Sequence, residues 1–359
     1  LYGVTGTLNI ADLAGRVSAL SGTDLALAQA GAAILGVALL LKAGMWPLSF
    51  WLPPAYSAAS APAAAVFAIM TKVGVYTIVR LWLPVFGAEP VAWAPLEGSW
   101  LLLGGAATLV FGIVGVLSAQ TLAQLASYSV LVSSGTLLAV VATGHTYAIA
   151  GALLYLASST LAIATLFLLI ELLERGRDPA ADFLAVTRDL LGEEDYDDEE
   201  EEPVEEAEVG IVMPGSLAFL GMAFAGCTLL LAGLPPLSGF LAKAGILHGL
   251  LNAEPSGAVP MATWIILPLL LASGLVTVVA ASRLGIRVLW VELDREAPRM
   301  ALVEVLPVAA LLILCAGLTV GAGPVMRYME RTAELLRSPE TYIEGVLGDV
   351  PQPSEGTAR

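Results

Sequence analysis

The feature that most constrains this chain is the length of its apolar runs. Stretch after stretch reaches the ~20 residues that a helix needs to cross a ~30 Å hydrocarbon core. Eight such spans can be read: Leu25 to Phe50, Ala58 to Phe86, Ser99 to Ser118, Thr121 to Ala142, Tyr147 to Leu173, Met213 to Leu251, Ala262 to Trp290 and Ala301 to Gly323. In lipid an unpaired backbone amide finds no water, so continuous apolar runs of this length predict helices. A β-barrel would instead show short strands of alternating polarity. Only 13% of the 359 residues are charged and the mean hydropathy is +0.83, whereas a soluble domain carries about 25% charged residues. The expected fold class is an all-α polytopic membrane protein of about eight transmembrane helices.

One span does not fit a single straight crossing. The sixth is too long and is interrupted by Gly233-Leu234-Pro235-Pro236-Leu237-Ser238-Gly239. Pro235 and Pro236 remove two amide donors and crowd the preceding turn, which predicts a broken helix. Broken helices in transporters frame ion sites near the membrane midplane. The first span ends in a comparable stretch, Met45-Trp46-Pro47-Leu48-Ser49-Phe50-Trp51-Leu52-Pro53-Pro54. The shared Pro-Leu-Ser hints at a structural repeat, and a plain kink or loop is the simpler alternative at either place.

The net charge of −16 does not describe a binding surface, because 12 of the 32 acidic residues lie between Glu193 and Glu208. A like-charged block of this kind repels itself and reads as a solvated linker. There is no basic stripe, so no nucleic acid is expected as partner. Cys227 and Cys315 stand apart in apolar spans and suggest neither disulfide nor metal site. The chain divides into an extramembrane lead-in over 1–24, a five-helix membrane segment over 25–173 and an acidic cytoplasmic linker over 174–211. A three-helix membrane segment over 212–324 and a tail over 325–359 complete it. Arg175, Arg177 and Arg188 after the fifth span and Arg287, Arg295 and Arg299 after the seventh place those loops on the cytoplasmic side. Arg327, Arg331 and Arg337 in the tail oppose that orientation. Part of the tail, from Val325 to Leu347, reads as a surface amphipathic helix.

The chemistry is concentrated in the lysines. There are three, Lys42, Lys72 and Lys243, and all lie inside apolar spans, while the thirteen arginines sit at span ends, in loops or at the termini. Arginine holds its proton under all ordinary conditions, whereas an amine taken out of water can release it. A charged lysine at a helix centre costs roughly 2.5–3.5 kcal/mol on insertion scales, a penalty that points to function or to a paired acid. Carboxylates are scarce within the spans; Glu171, near the end of the fifth, is one. The functional reading is a proton relay, with each amine alternating between charged and neutral, and the structural alternative is a snorkelling or paired lysine. His248, five residues after Lys243, is a candidate extension of the relay or a packed neutral histidine. His145 lies in a loop and receives no role.

At these residues the chain resembles a known family. Lys42-Ala43-Gly44-Met45-Trp46-Pro47-Leu48-Ser49-Phe50-Trp51-Leu52-Pro53 is similar to the seventh-helix signature of the antiporter-like subunits shared by respiratory complex I and the multisubunit Mrp/Pha cation/proton antiporters. Ala61-Pro62 through Thr71-Lys72-Val73-Gly74-Val75-Tyr76 resembles the eighth-helix signature, and Gly233 to Phe240 with Lys243 resembles the broken twelfth helix. The D-type component of the Mrp/Pha antiporters is the best match, on Tyr2-Gly3-Val4-Thr5-Gly6-Thr7-Leu8-Asn9-Ile10-Ala11-Asp12-Leu13, Tyr128 to Leu137 and Ser282 to Arg287. The resemblance covers roughly residues 1–325 and is that of the C-terminal portion of a fourteen-helix subunit, which also suits a chain that starts at Leu1 in a turn-like stretch.

The resemblance implies a proton-translocating subunit of a Na⁺ or K⁺/H⁺ antiporter in the cell (inner) membrane. Its partners would be other membrane subunits, the lipid bilayer, protons and the cation, with no cofactor and no metal. Lys42 would be the central carrier, beside a fifth-helix glutamate that this sequence does not contain. Lys72 would pass protons inward and Lys243 toward an exit. The alternative is a proton-pumping subunit of an NADH:quinone oxidoreductase or a membrane-bound hydrogenase, and a third reading is a non-conducting scaffold. Two departures bear on the path. Where many members carry a histidine or lysine in the eleventh helix, Leu154 to Ile163 supplies hydroxyls, among them Ser158, Ser159 and Thr160, which are candidates to hold a chain of waters. Ala123 and Gln124 stand where basic residues often precede the tenth-helix tyrosine.

Overall fold

The computed structural model describes residues 1–81, 99–174, 215–252, 259–289, 302–337, 343 and 345–348. All regular structure among them is helical. Two short helices, α1 (Tyr2–Thr5) and α2 (Ile10–Ser18), precede α3 (Gly22–Ala43), α4 (Leu52–Ala58), α5 (Ala61–Leu81), α6 (Ser99–Ser118), α7 (Leu122–Val141) and α8 (Thr146–Glu174). After these come α9 (Gly215–Ala232), α10 (Ser238–Leu251), α11 (Met261–Leu289), α12 (Leu302–Val320) and α13 (Ala322–Arg337). Among the described residues, seven helices are long and apolar enough to cross a membrane: α3, α5, α6, α7, α8, α11 and α12. The pair α9 and α10, of 18 and 14 residues, occupies the expected sixth span, so the break falls between Ala232 and Ser238. The acidic run Glu193 to Glu208 and the arginines 175, 177, 188, 295 and 299 lie outside the described residues.

The bundle is organised around α8. It packs against α5, α7, α9, α10, α12 and α13, and its sequence is apolar on all sides, as a helix enclosed by neighbours requires. Small residues set how closely those neighbours approach. A Cβ placed on Gly249 would lie 2.2 Å from the Ala148 amide nitrogen, and one on Gly151 would lie 2.4 Å from that of Ile246. The backbones of α8 and α10 therefore touch directly. The antiparallel pair α6 and α7 is built likewise, with Gly135 against the backbone of Leu109 at 2.5 Å and Gly105 against Ala139 at 2.5 Å. Close backbone approach through small residues is what holds helices together where lipid removes any hydrophobic driving force. The tail helix α13 is amphipathic as expected, but it is bound to the bundle: Ala333 and Leu336 are buried, against α8 and the ends of α5 and α7.

The two breaks have the same local build. α3 ends on Gly44 in the left-handed region (φ 72°), and the Met45 N–H returns to the Leu40 carbonyl at 3.0 Å. α9 ends on Gly233 (φ 74°), with the Leu234 N–H returning to Leu229 O at 3.1 Å. This is the usual glycine-terminated helix end. Each glycine opens the same pattern, Gly-x-x-Pro-Leu-Ser, at Gly44 to Ser49 and at Gly233 to Ser238. In each, a threonine hydroxyl on another helix accepts an amide that the interruption frees: Thr108 from Trp46 N–H at 2.8 Å, and Thr319 from Ser238 N–H at 2.9 Å. Arg283 on α11 serves another helix end, donating at 2.8 Å to both Leu117 O and Ala119 O where α6 turns into α7.

Two outcomes follow for stability. Gly135→Val pushes a branched side chain into the backbone of α6, and overpacking of this kind costs about 1–3 kcal/mol; it should lower the unfolding temperature in detergent. Arg283→Ala leaves two carbonyls without their charged donor, a loss of about 1.5–3 kcal/mol for hydrogen bonds of this type, whereas Arg283→Lys retains part of it. Thermal unfolding of the purified protein checks both.

Candidate functional site

Two of the three lysines are enclosed. Lys72, in the middle of α5, is 2% exposed, and Lys243, on the second turn of α10, is 6% exposed. Lys42, in the last turn of α3, is exposed on the described surface. Its backbone nevertheless touches the site: a Cβ on Gly74 would meet Ala43 N at 2.9 Å and the Lys42 carbonyl carbon at 3.1 Å. The end of α3 thus crosses α5 two residues beyond Lys72, and Lys42 and Lys72 belong to adjoining turns of two contacting helices.

The Lys72 amine is solvated by α7. It donates to the Ser133 hydroxyl, to Ser134 Oγ at 3.3 Å and to Val130 O at 3.4 Å. An ammonium has three hydrogens to place, and three oxygens receive them. All are neutral. Ser133 also donates to Val130 O at 2.8 Å, so its hydrogen is committed. Ser134 hydrogen-bonds the amine itself, and a hydroxyl there can accept from an ammonium or donate to a neutral amine. Next to Lys72, Thr71 shares a hydrogen bond with the Tyr56 hydroxyl, which also donates to Phe67 O at 2.6 Å. The Tyr56 ring packs on Phe67 and Phe167, with centroids 5.7 and 6.2 Å away. The segment after the first break is thereby clamped to α5 and α8 beside the amine.

The Lys243 amine folds back across the second break. It donates to Ala232 O at 2.9 Å, the last residue of α9, and to Ser273 Oγ of α11 at 3.3 Å. The C-terminal end of a helix carries partial negative charge, and that end faces the amine here. Gly233 is required for close approach as well as for its φ, since a Cβ there would lie 2.5 Å from Lys243 Cδ.

Ser158 on α8 is buried and its Oγ lies 2.8 Å from that of Ser238, the first residue of α10. Ser159 and Thr160 turn to their own helix, each donating to Leu156 O, at 3.4 and 2.5 Å. His248 is not brought in: it is exposed, and its ring faces Asn252 at 3.3 Å. Pro235 and Pro236 line the break as exposed residues. The structure adds groups that sequence reasoning does not single out, namely Ser133 and Ser134 as amine acceptors, Ser273, Ser238, and Tyr155, a buried phenol on α8. Hydroxyls at one-turn spacing, such as 133 with 136 and 155 with 158, were the available signal. Among the described residues no cluster of His, Cys, Asp or Glu is arranged to hold a metal ion.

The family model described as NADH:quinone oxidoreductase/Mrp antiporter, TM, matches residues 1–191. The chain is 52% identical over 350 residues to the probable K(+)/H(+) antiporter D component of Rhizobium meliloti (strain 1021), covering 97% of this chain and 64% of that protein. It is 33% identical to the Na(+)/H(+) antiporter D component of Bacillus subtilis (strain 168), covering 97% and 63%. The chain therefore spans just under two thirds of the length of the curated relatives it matches. The fold is that of a chain in the Mrp complex from Dietzia sp. DQ12-45-1b, with a TM-score of 0.69 at 21% identity over 97% of this chain and 66% of that one. It is also that of a chain in respiratory complex I from Thermus thermophilus, with a TM-score of 0.68 at 21% identity over 94% and 64%. On the match over residues 1–191, this chain belongs to the NADH:quinone oxidoreductase/Mrp antiporter transmembrane family.

Proposed function

We propose that this chain is the proton-conducting portion of the D-type component of a multisubunit monovalent cation/H⁺ antiporter, a transporter part of the bacterial cell membrane. The observation that carries the reading is Lys72. Its amine is enclosed at the centre of the bundle with neutral oxygens as its hydrogen-bond partners, a place where a permanent charge is costly and a transferable one is useful. Lys243 repeats the arrangement at the second break. Lys42 would hand protons to Lys72 at the contact between α3 and α5, and its exposed amine would meet an acid supplied by another part of the assembly. The candidate relay places Ser158 between the halves, with Ser159 and Thr160 as lesser contributors and His248 outside it.

The antiporter reading is preferred to a redox-driven pump because identity to an antiporter D component reaches 52% over nearly the whole chain. Against an NADH-quinone oxidoreductase N component it is 30%, over 73% of the chain. Potassium is the first cation to test on the same ground, with sodium as the second. Other membrane subunits would complete the pathway and supply the cation route.

The test uses the full-length protein in its complete assembly, in inside-out vesicles with a pH-sensitive dye. Lys72→Ala should abolish cation-driven proton movement, and Lys72→Arg should do the same, because arginine keeps a charge but does not release a proton. Unchanged flux in Lys72→Ala would leave only a scaffold role. Lys72→Met removes the buried amine at similar length. Since that amine costs roughly 2.5–3.5 kcal/mol to bury when charged, the unfolding temperature of Lys72→Met should not fall although transport is lost.

A further inference from the structure

We infer that the tail helix α13 is a seat for anionic phospholipid. It lies in the headgroup layer, with Arg327 and Arg331 on lipid phosphates and with Tyr328 and Leu335 against the acyl chains. Lipid binding here is separate from the transport reading and independent of the lysines.

The contacts of α13 fix its direction. Met326 lies against α10, where a Cβ on Gly245 would meet its Cε at 3.1 Å. Ala333 packs on Ile149 and Ala150, near the start of α8. Leu336 packs on Val79 and Val141, in the last turns of α5 and α7. Along its own sequence α13 therefore passes from α10 across α8 to α5 and α7, over one end of the bundle. A helix that crosses several spans near their ends lies in the plane of the membrane surface. Exposed aromatic rings stand at that same end. Trp100 and Tyr147 are the second residues of α6 and α8, and Trp264 lies in the first turn of α11, beside the end of α10 to which Thr263 is bonded. Tryptophan and tyrosine gather at the depth of the headgroups.

Successive side chains on a helix are turned by about 100°, which sorts α13 into rows. The row toward the bundle holds Met326, Met329, Ala333 and Leu336. Going round from it, Glu330 and Glu334 come next, then Arg327 and Arg331, then Pro324, Tyr328 and Leu335. The outer side is thus graded from acidic through basic to apolar. Tyr328 is 67% and Leu335 53% exposed. Neither Arg327 nor Arg331 makes an ion pair among the described residues. A bilayer presents the same order with depth: water, then phosphate, then acyl chains. A helix lying in the interface places its basic residues at the headgroups and its apolar edge below them, and a guanidinium meets a phosphate through two parallel hydrogen bonds. The arginines that oppose the orientation set by the loops have a local use here. A strip of three apolar side chains is far smaller than the roughly 800 Å² that each partner of a stable protein interface buries. Lipid is the occupant that fits.

The experiment uses the full-length protein in its complete assembly. In detergent, thermal unfolding is followed as phosphatidylglycerol or phosphatidylcholine is added. Phosphatidylglycerol should raise the unfolding temperature at the lower concentration. Arg327→Gln combined with Arg331→Gln should raise the phosphatidylglycerol needed on the order of 20-fold, since each arginine near an anionic surface adds roughly fivefold to binding. The phosphatidylcholine needed should not change. An equal response of the wild type to the two lipids, or an unaltered phosphatidylglycerol response in the double variant, would overturn the proposal. Depth is read in vesicles of phosphatidylglycerol and phosphatidylcholine brominated in their chains. A dye on Tyr328→Cys should be quenched and one on Glu334→Cys should not, while the buried Cys227 and Cys315 stay unlabelled. Quenching at both positions would sink the helix below the headgroups. Quenching at neither would give the face to water or to a neighbouring subunit, which shielding of the dye at position 328 from aqueous iodide tells apart. Each of these three results overturns the proposal.

Discussion

An amine placed among apolar helices has to be solvated by the protein, because lipid offers nothing. That requirement shapes much of this molecule. At Lys72 the solvation comes from one turn of α7, where two serines and a carbonyl stand in for water. At Lys243 it comes from the open end of α9 and from Ser273. Both solutions use neutral oxygens, which hold a charge without fixing it in an ion pair, and both need backbones close enough for short hydroxyls to reach. The close contacts through Gly135, Gly151 and Gly249 are therefore part of the same problem as the lysines.

The position of α8 follows from the same constraint. A helix touched by six others must present an apolar surface in every direction, yet it also carries Tyr155, Ser158 and Ser159 on one face. Ser158 and Ser159 are small and hydrogen-bonded, so they can be enclosed at little cost. A histidine or lysine at that place would have needed its own solvating shell; hydroxyls do not, and the packing around α8 is correspondingly tight.

Much of the fold was legible in the sequence, because membrane thickness fixes the length of an apolar helix and leaves few alternatives. The break at Pro235 and Pro236 could be placed because proline acts locally. The end of α3 at Ala43, short of the expected Phe50, was less legible: Leu48 to Leu52 is as apolar as a helix interior, and only Gly44 in the left-handed region marks the stop. At the site, burial of Lys72 and Lys243 could be read from the runs around them. The partners could not, since which serine faces an amine depends on how α5 rotates against α7, and the periodicity of two nearly all-apolar helices does not encode rotation. The exposed position of His248 is a matter of rotation as well.

The threonine tethers at the two breaks have a mechanical consequence. An interrupted helix has a few backbone groups that its own ladder leaves idle, and here each interruption is tied to a different neighbour, by Thr108 of α6 and by Thr319 of α12. Thr319 grips the amide of Ser238 while the hydroxyl of that same residue holds Ser158. Ser238 thus joins α12 to α8 through its amide on one side and its hydroxyl on the other, a polar joint added to the direct packing of those two helices.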